Sequence, residues 1–363
     1  MKIDTIPYYL AFSYTSGLGP MRMKQLLNVY DSVEDAYNAS FDDLKMIIGG
    51  AVAKEFVSNR DTFDPDKEMK ILEEKEIQVI TQEDPYYPNE LKTISDSPIC
   101  LYVKGDIVSL DLNNQVAIGI VGTREPTTYG LRAARHFAHS LAEKGFVIVS
   151  GMARGIDGTA HKGAMEAEGK TVAVLGCGVD VIYPYENKDI YEAVIGGYGI
   201  VISEFPPGHF VEKGLFVARN RLISGLSKSI LIVEGKHTSG AVHTANYALH
   251  QGKDVCVIPG PIYSEFSAAP NGLLMQGATP VLTPDDLAYD YGFKTNKHLP
   301  KRTVARMAPY ERAVYEELQK EPKSTDTLCR NTHLPIYQLL SIISSLELKG
   351  FVGKNKEGLY ELL

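Results

Sequence analysis

From residue 115 onward, short apolar runs alternate with helix-length amphipathic stretches, and this alternation constrains the fold more than any other feature. The runs are Val116–Val121, Phe146–Val149, Thr171–Leu175, Ile200–Ser203, Ser229–Glu234 and Asp254–Ile258, with a weaker one at Pro280–Leu282. They are short for helices, largely β-branched or aliphatic, and set off by turn residues, so they read as strands buried on both faces. Helical stretches fall near 128–144, 158–168, 188–195, 216–226, 240–251 and 271–277. Strand–helix alternation at this spacing predicts an α/β fold, a Rossmann-like parallel sheet with helices on both faces.

In such sheets ligands bind beyond the carboxyl ends of the strands. The motif-like turns of this chain occur at those ends: Gly122-Thr123-Arg124, Ser150-Gly151, Gly176-Cys177-Gly178, Ser203-Glu204, Glu234-Gly235-Lys236 and Pro259-Gly260. The run Ser229–Glu234 is the best furnished. Arg219-Asn220-Arg221 precede it, and Lys236 and Ser239-Gly240 follow, the latter opening a helix. A glycine-containing helix start exposes backbone N–H groups and the positive end of the helix dipole. Cations on one side and N–H groups on the other make an anion site, and phosphate is the obvious anion. The bland alternative is that the arginines pair with acids.

The flanks differ in character. Residues 1–80 read as a helical domain of the helix–hairpin–helix or SAM-like kind, with Gly17-Leu18-Gly19-Pro20 opening one amphipathic helix and Gly49-Gly50 a weaker echo. Such glycine turns either offer N–H groups to a phosphate or are purely structural. Residues 81–114 read as a connector with a strand near Pro98–Asp106, and 115–290 as the sheet domain. Residues 291–308 hold Lys294, Lys297, Lys301, Arg302 and Arg306 with no acid, a basic linker. Residues 309–363 read as three helices and a two-stranded wing, a winged helix whose recognition helix offers only Tyr337, Gln338 and Lys349. That set is poor for reading bases and favours a protein-docking or weakly DNA-binding tail.

Charge and cysteine narrow the function. The net charge is −8, and residues 1–114 carry 11 basic against 20 acidic side chains, so any nucleic-acid surface is a local pocket and not a basic face. The four cysteines lie far apart without a C-x-x-C pair, which suits a reduced, cytoplasmic chain. No membrane span or signal peptide is read. Gly176-Cys177-Gly178 begins a dinucleotide fingerprint, but Val181 stands where its third glycine belongs. Gly163…Gly169-Lys170-Thr171 mimics a phosphate loop with the wrong spacing, before a strand instead of after one. Asp157 and His161 share a helix face, as an acid/base pair or, preferably, as a cap and a packed histidine. No histidine set reaches metal-ligand spacing, and neither Ser150 nor Ser239 has a nucleophile's context. No cofactor is implied.

Taken in order, the turns resemble the DprA/Smf family (DNA-processing protein A). The matching residues include Asp84…Tyr87-Pro88, Gly122-Thr123-Arg124, Ser150-Gly151…Gly155-Ile156-Asp157, Tyr183-Pro184, Arg219-Asn220-Arg221-Leu222-Ile223-Ser224-Gly225 and Ser239-Gly240…Thr244-Ala245. The resemblance is dense over 84–283. It implies a non-enzymatic, dimeric protein that binds single-stranded DNA, protects it, and helps load a RecA-type recombinase during natural transformation. Carried onto this chain, Arg124 holds a backbone phosphate. The turns at Gly122, Ser150-Gly151 and Ser239-Gly240 add N–H donors, and Arg219, Asn220, Arg221 and Lys236 complete the pocket. Either arginine of the 219–221 pair could instead tie Glu204 or Glu234 into the fold. Some relatives carry a lysine directly after the Tyr-Pro pair. Here that place is Tyr185, with Lys188 three residues on, so either a base stacks on Tyr185 or the contact is lost. The rival reading is a nucleotide-binding phosphoribohydrolase of the same superfamily. Tyr247 stands where that chemistry needs a carboxylate.

Overall fold

Among the described residues nine strands form one sheet in the order β1-β2-β6-β5-β4-β3-β7-β8-β9. They are β1 (Gln78–Thr81), β2 (Cys100–Gly105), β3 (Ala117–Val121), β4 (Val147–Ser150), β5 (Thr171–Val174), β6 (Gly199–Ser203), β7 (Ser229–Ile232), β8 (Asp254–Val257) and β9 (Thr279–Pro280). The computed structural model describes residues 5–212, 214–292, 307–348, 351–355 and 358–362. β3 to β9 are parallel, and the intervening helices fall where the periodicity places them.

The stretch read as a connector contributes β2 to this sheet, and β1 comes from the last residues of the stretch read as the helical head. β2 pairs antiparallel with β6, and β1 antiparallel with β2. Without β2, the long buried strand β6 would end the sheet with unpaired backbone groups. An antiparallel ribbon that stops at a four-residue edge strand is a common way to close such an edge. A strand's own residues do not say which edge it will join.

Alternate residues of the central strands enter two cores, as a sheet covered on both faces requires. Val172, Val174, Ile200 and Ile202 pack with Leu222, Ile223 and Leu226 of the helix Leu215–Leu226. Ala173, Leu175 and Val201 face the other way, toward Ile190, Tyr191 and Val194. Among the described residues the head has six helices; five pack around Phe12, Leu26, Leu44 and Phe56, with the Phe12 and Phe56 rings stacked at 4.4 Å, and the sixth, Pro65–Glu74, puts Leu72 into the second sheet core. The head is tied to the sheet by Lys75–Asp180 (2.7 Å) and Ser13 Oγ–Tyr102 Oη (2.6 Å).

The chain winds from β3 through β6 in one direction and then returns to place β7 on the other side of β3. The topological switch point is therefore between β3 and β7.

Residues 292–363 form a separate unit. Helices Pro309–Leu318, Thr325–Thr332 and Ile336–Leu348 pack around Leu328, Leu339 and Ile343, and Val352–Lys354 pairs with Tyr360–Leu362 as the wing. Tyr337 and Gln338 are exposed, beside exposed Ile336 and Leu340. Lys349 and the linker cations Lys294, Lys297, Lys301, Arg302 and Arg306 lie outside the described residues. Among the described residues no helix is long and apolar enough to cross a membrane.

Candidate nucleic-acid interface

A crevice of about 760 Å³ opens where the carboxyl ends of β3 and β7 diverge. Gly122 and Arg124 come from the turn after β3, Asp157 from the helix after β4, and Tyr183 from the loop after β5. Phe216, Arg219 and Asn220 come from one helix, and Lys236, Ser239, Gly240, His243 and Thr244 from the segment after β7.

The two turns at the switch point hold each other. Thr123 N donates to Glu234 O at 2.8 Å. The buried Glu234 carboxylate accepts from Thr127 N (2.9 Å) and Thr127 Oγ1 (2.6 Å), and Thr127 caps the helix Thr128–Glu143. A side chain at Gly130 would place its Cβ 2.1 Å from that carboxylate. Gly155 adopts φ +78°, and a Cβ there would meet Thr123 O at 2.5 Å. The backbone under Arg124 is thus fixed from three sides.

Arg124 is exposed and, among the described residues, has no ion-pair partner. Its guanidinium lies over the Phe216 ring, 5.4 Å from the centroid, and that ring is 5.3 Å from Tyr183. The other cations are committed. Lys236 meets Glu265 at 2.9 Å and lies over Phe266. Arg219 is buried and crosses beneath the floor, donating to Gly151 O (2.7 Å) and to Val174 O. Burial pulls its pKa down to about 10, against the opposing pull of Asp157.

Arg221 leaves the crevice altogether. Two positions along a helix turn a side chain by about 200°. It makes paired bonds to Glu204 (2.9 and 2.7 Å) and meets Asp96 at 2.9 Å. Of the two ties the sequence left open, the structure forms Arg221–Glu204, whereas Glu234 is held by Thr127.

The donors at Ser150-Gly151 point inward. Ser150 Oγ donates to Ile120 O (2.6 Å), and Gly151 N to Asp157 Oδ2 (3.2 Å). Ser239 caps its helix by accepting from Ala241 N, leaving Gly240 exposed at the helix start, and Asn220 Nδ2 donates to Gly240 O (3.4 Å). Tyr185 and Lys188 stand outside the crevice lining. Tyr185 is exposed, with the Lys188 ammonium 5.9 Å from its ring, and Lys188 meets Glu192 at 3.5 Å. The aromatic residues in the crevice are Tyr183 and Phe216, which sequence reasoning passed over. Phe216 precedes Arg219 and Asn220 by three and four positions, a same-face spacing that could have revealed it. Tyr183 carried no such signal, and neither did His243.

Asp157 and His161 do not form an acid/base pair at the surface. The Asp157 carboxyl accepts the Gly151 amide, and burial raises its pKa while Arg219 opposes the rise. His161 is fully buried. Its Nδ1 is 2.7 Å from Thr171 Oγ1 and its Nε2 has no partner among the described residues. Burial holds its pKa down to about 3, so the ring is neutral in the folded chain. The unfolded chain protonates first as pH falls. Stability from this residue is therefore full above about pH 6.5 and falls by about 1.4 kcal/mol per pH unit below it, down to the folded value. Urea unfolding at pH 7 and pH 5 should show this loss, and His161→Gln should flatten it. An equal slope in the variant refutes the assignment.

Residues 78–292 match the family model described as DNA recombination-mediator protein A, and 300–355 the DprA winged helix domain. Protein Smf of Synechocystis is 31% identical over 96% of this chain and 96% of its own length. DNA processing protein DprA of Bacillus subtilis is 38% identical over 65% of this chain and 76% of its own. The crystal structure of DprA from Streptococcus pneumoniae superposes with a TM-score of 0.70 at 32% identity, covering 81% of this chain and all of that one. DNA processing protein A from Helicobacter pylori, whose structure addresses its single-stranded DNA binding mode, gives 0.53 at 31% identity, covering 59% of this chain and 95% of that one.

Proposed function

The chain belongs to the DNA recombination-mediator protein A family, and from that premise we propose that it binds single-stranded DNA in the switch-point crevice, protects the strand, and passes it to a RecA-type recombinase. One observation carries the reading. Arg124 is an exposed cation without an ion-pair partner among the described residues, on a turn that glycines and Glu234 hold rigid, next to an aromatic pair. A phosphate sits on Arg124, and the dipole of the Gly240 helix adds to its field. A base lies against Tyr183 and Phe216. The single-strand binding of the Helicobacter pylori relative supports the same use of the fold.

A grip of few phosphates leaves most of the strand free, which suits its transfer to another protein. It is also weak, so two copies holding one strand gain avidity. Ile262, Tyr263 and Leu282, exposed after the last two strands, favour a homodimer through that edge. The winged helix, with no Lys or Arg between Ile336 and Leu348, serves protein docking. The protein works in the cytoplasm as a binder, not an enzyme. The buried carboxylate of the crevice, Asp157, is occupied by the Gly151 amide, and Tyr247 stands where the phosphoribohydrolases need an acid.

The test is a salt series with a labelled single strand and a duplex of equal length. The expected result is preference for the single strand, with log K falling about 0.7 per phosphate contacted for each decade of salt. Equal binding of the duplex sinks the reading. Release of free base from a nucleoside monophosphate would establish the hydrolase instead.

A further inference from the structure

We propose that the bound strand does not end in the crevice but continues over Phe210 into a second cavity, between the helical head and the sheet, so that the head belongs to the DNA surface. The proposal rests on the single-strand reading above.

The second cavity measures about 810 Å³. Its walls are the head turn Gly17–Gly19 with Arg22, the loop Phe205–His209, and one face of the helix Leu215–Leu226. That helix is the partition between the two cavities. Leu215, Ala218 and Arg221 line the second, whereas Phe216, Arg219 and Asn220 line the crevice. The loop crosses the same divide: His209 is in the second cavity, Val211 in the crevice, and Phe210 between them is 79% exposed. A chain leaving the crevice by this route meets an aromatic ring first.

Beyond Phe210 the chemistry suits unpaired nucleotides. Phe205 and His209 are stacked, with ring centroids 4.9 Å apart and planes 15° from parallel, a flat platform for a base. Arg221 is neutralised by Glu204 and Asp96. Arg22 has no carboxylate partner among the described residues, and its bonds to Gly17 O (2.6 Å) and Ile48 O (3.2 Å) hold it on the turn. Aromatic surfaces beside an uncompensated cation are how proteins follow a single strand without reading its sequence. The head's glycine turn thereby finds a use that the crevice alone does not provide.

The experiment measures affinity for oligothymidylates of increasing length by fluorescence anisotropy. The proteins are full-length wild type, Phe210→Ala, Arg22→Glu, Arg22→Lys and, as crevice control, Arg124→Ala. The shortest strands that bind should not distinguish Phe210→Ala or Arg22→Glu from wild type. Longer strands should, with both variants about tenfold weaker at the plateau and Arg22→Lys closer to wild type. If Phe210→Ala and Arg22→Glu follow the wild-type length curve while Arg124→Ala weakens every length, the strand stays in the crevice. The proposal then falls and the single-strand reading stands. If Arg124→Ala binds like wild type at every length, the crevice reading falls and this one with it. Should Arg22→Glu lower the melting temperature, Phe210→Ala decides alone, because its ring is exposed.

Discussion

Arg124→Ala lowers affinity for single-stranded DNA about 10- to 100-fold, the worth of one charge-assisted hydrogen bond to phosphate. It also reduces the salt slope by about 0.7, because one counterion fewer is released. The fold should be indifferent to the change. Arg124 is exposed and without an ion-pair partner among the described residues, so truncation leaves no buried charge behind. Arg124→Lys separates two contributions. It keeps the charge and hence most of the salt slope, but it loses the flat guanidinium that lies over Phe216. An intermediate affinity with an unchanged slope is therefore expected. If Arg124→Ala matches wild type in both affinity and slope, the crevice is not the DNA site.

Arg221→Ala does the opposite. It lies two residues from Arg219 in a motif that looks uniformly basic, yet its effect falls on stability. Burial works against its charge, and the carboxylates of Glu204 and Asp96 more than offset it, so its pKa is raised. Removing it strands the mostly buried Glu204 without a cation. The expected cost is about 3 kcal/mol, or a fall of about 5–10 °C in melting temperature. Affinity per folded molecule for the shortest strands that bind, those confined to the crevice, should hold, because Arg221 is absent from the crevice lining. Thermal unfolding and binding on the same preparation test both halves. A variant that melts like wild type but loses DNA would move Arg221 from the framework to the binding surface.

The contrast between these arginines marks the limit of reading residues one at a time. The sequence shows Arg219-Asn220-Arg221 as one basic cluster near the glycine turn Ser239-Gly240. In the fold, helix geometry separates them. Arg219 is under the floor, bonded to the carbonyls of Gly151 and Val174; Asn220 is at the rim; Arg221 is on the far side with two acids. The turn at Ser150-Gly151 was equally legible as a motif and equally misleading as a set of donors. Its amide and hydroxyl are used inside the protein. Conversely, Tyr183 is drawn against Phe216 only because the loop after β5 and the helix before β7 meet at the same end of the sheet.

What the sequence determined by itself was local and periodic. Apolar runs of strand length, helix-length stretches between them, and glycine turns at strand ends specify a parallel sheet with its glycine turns at the carboxyl edge. Those signals depend only on neighbours along the chain. The tertiary structure decided the rest: that β2 would cover β6, that Glu234 would brace Thr127, and that Arg219 would be drawn under the floor onto backbone carbonyls while Arg124 stood exposed, without an ion-pair partner among the described residues. Each is a pairing between residues far apart in sequence. Such partners are chosen by which strand ends the sheet brings together, and no spacing within a segment encodes that choice.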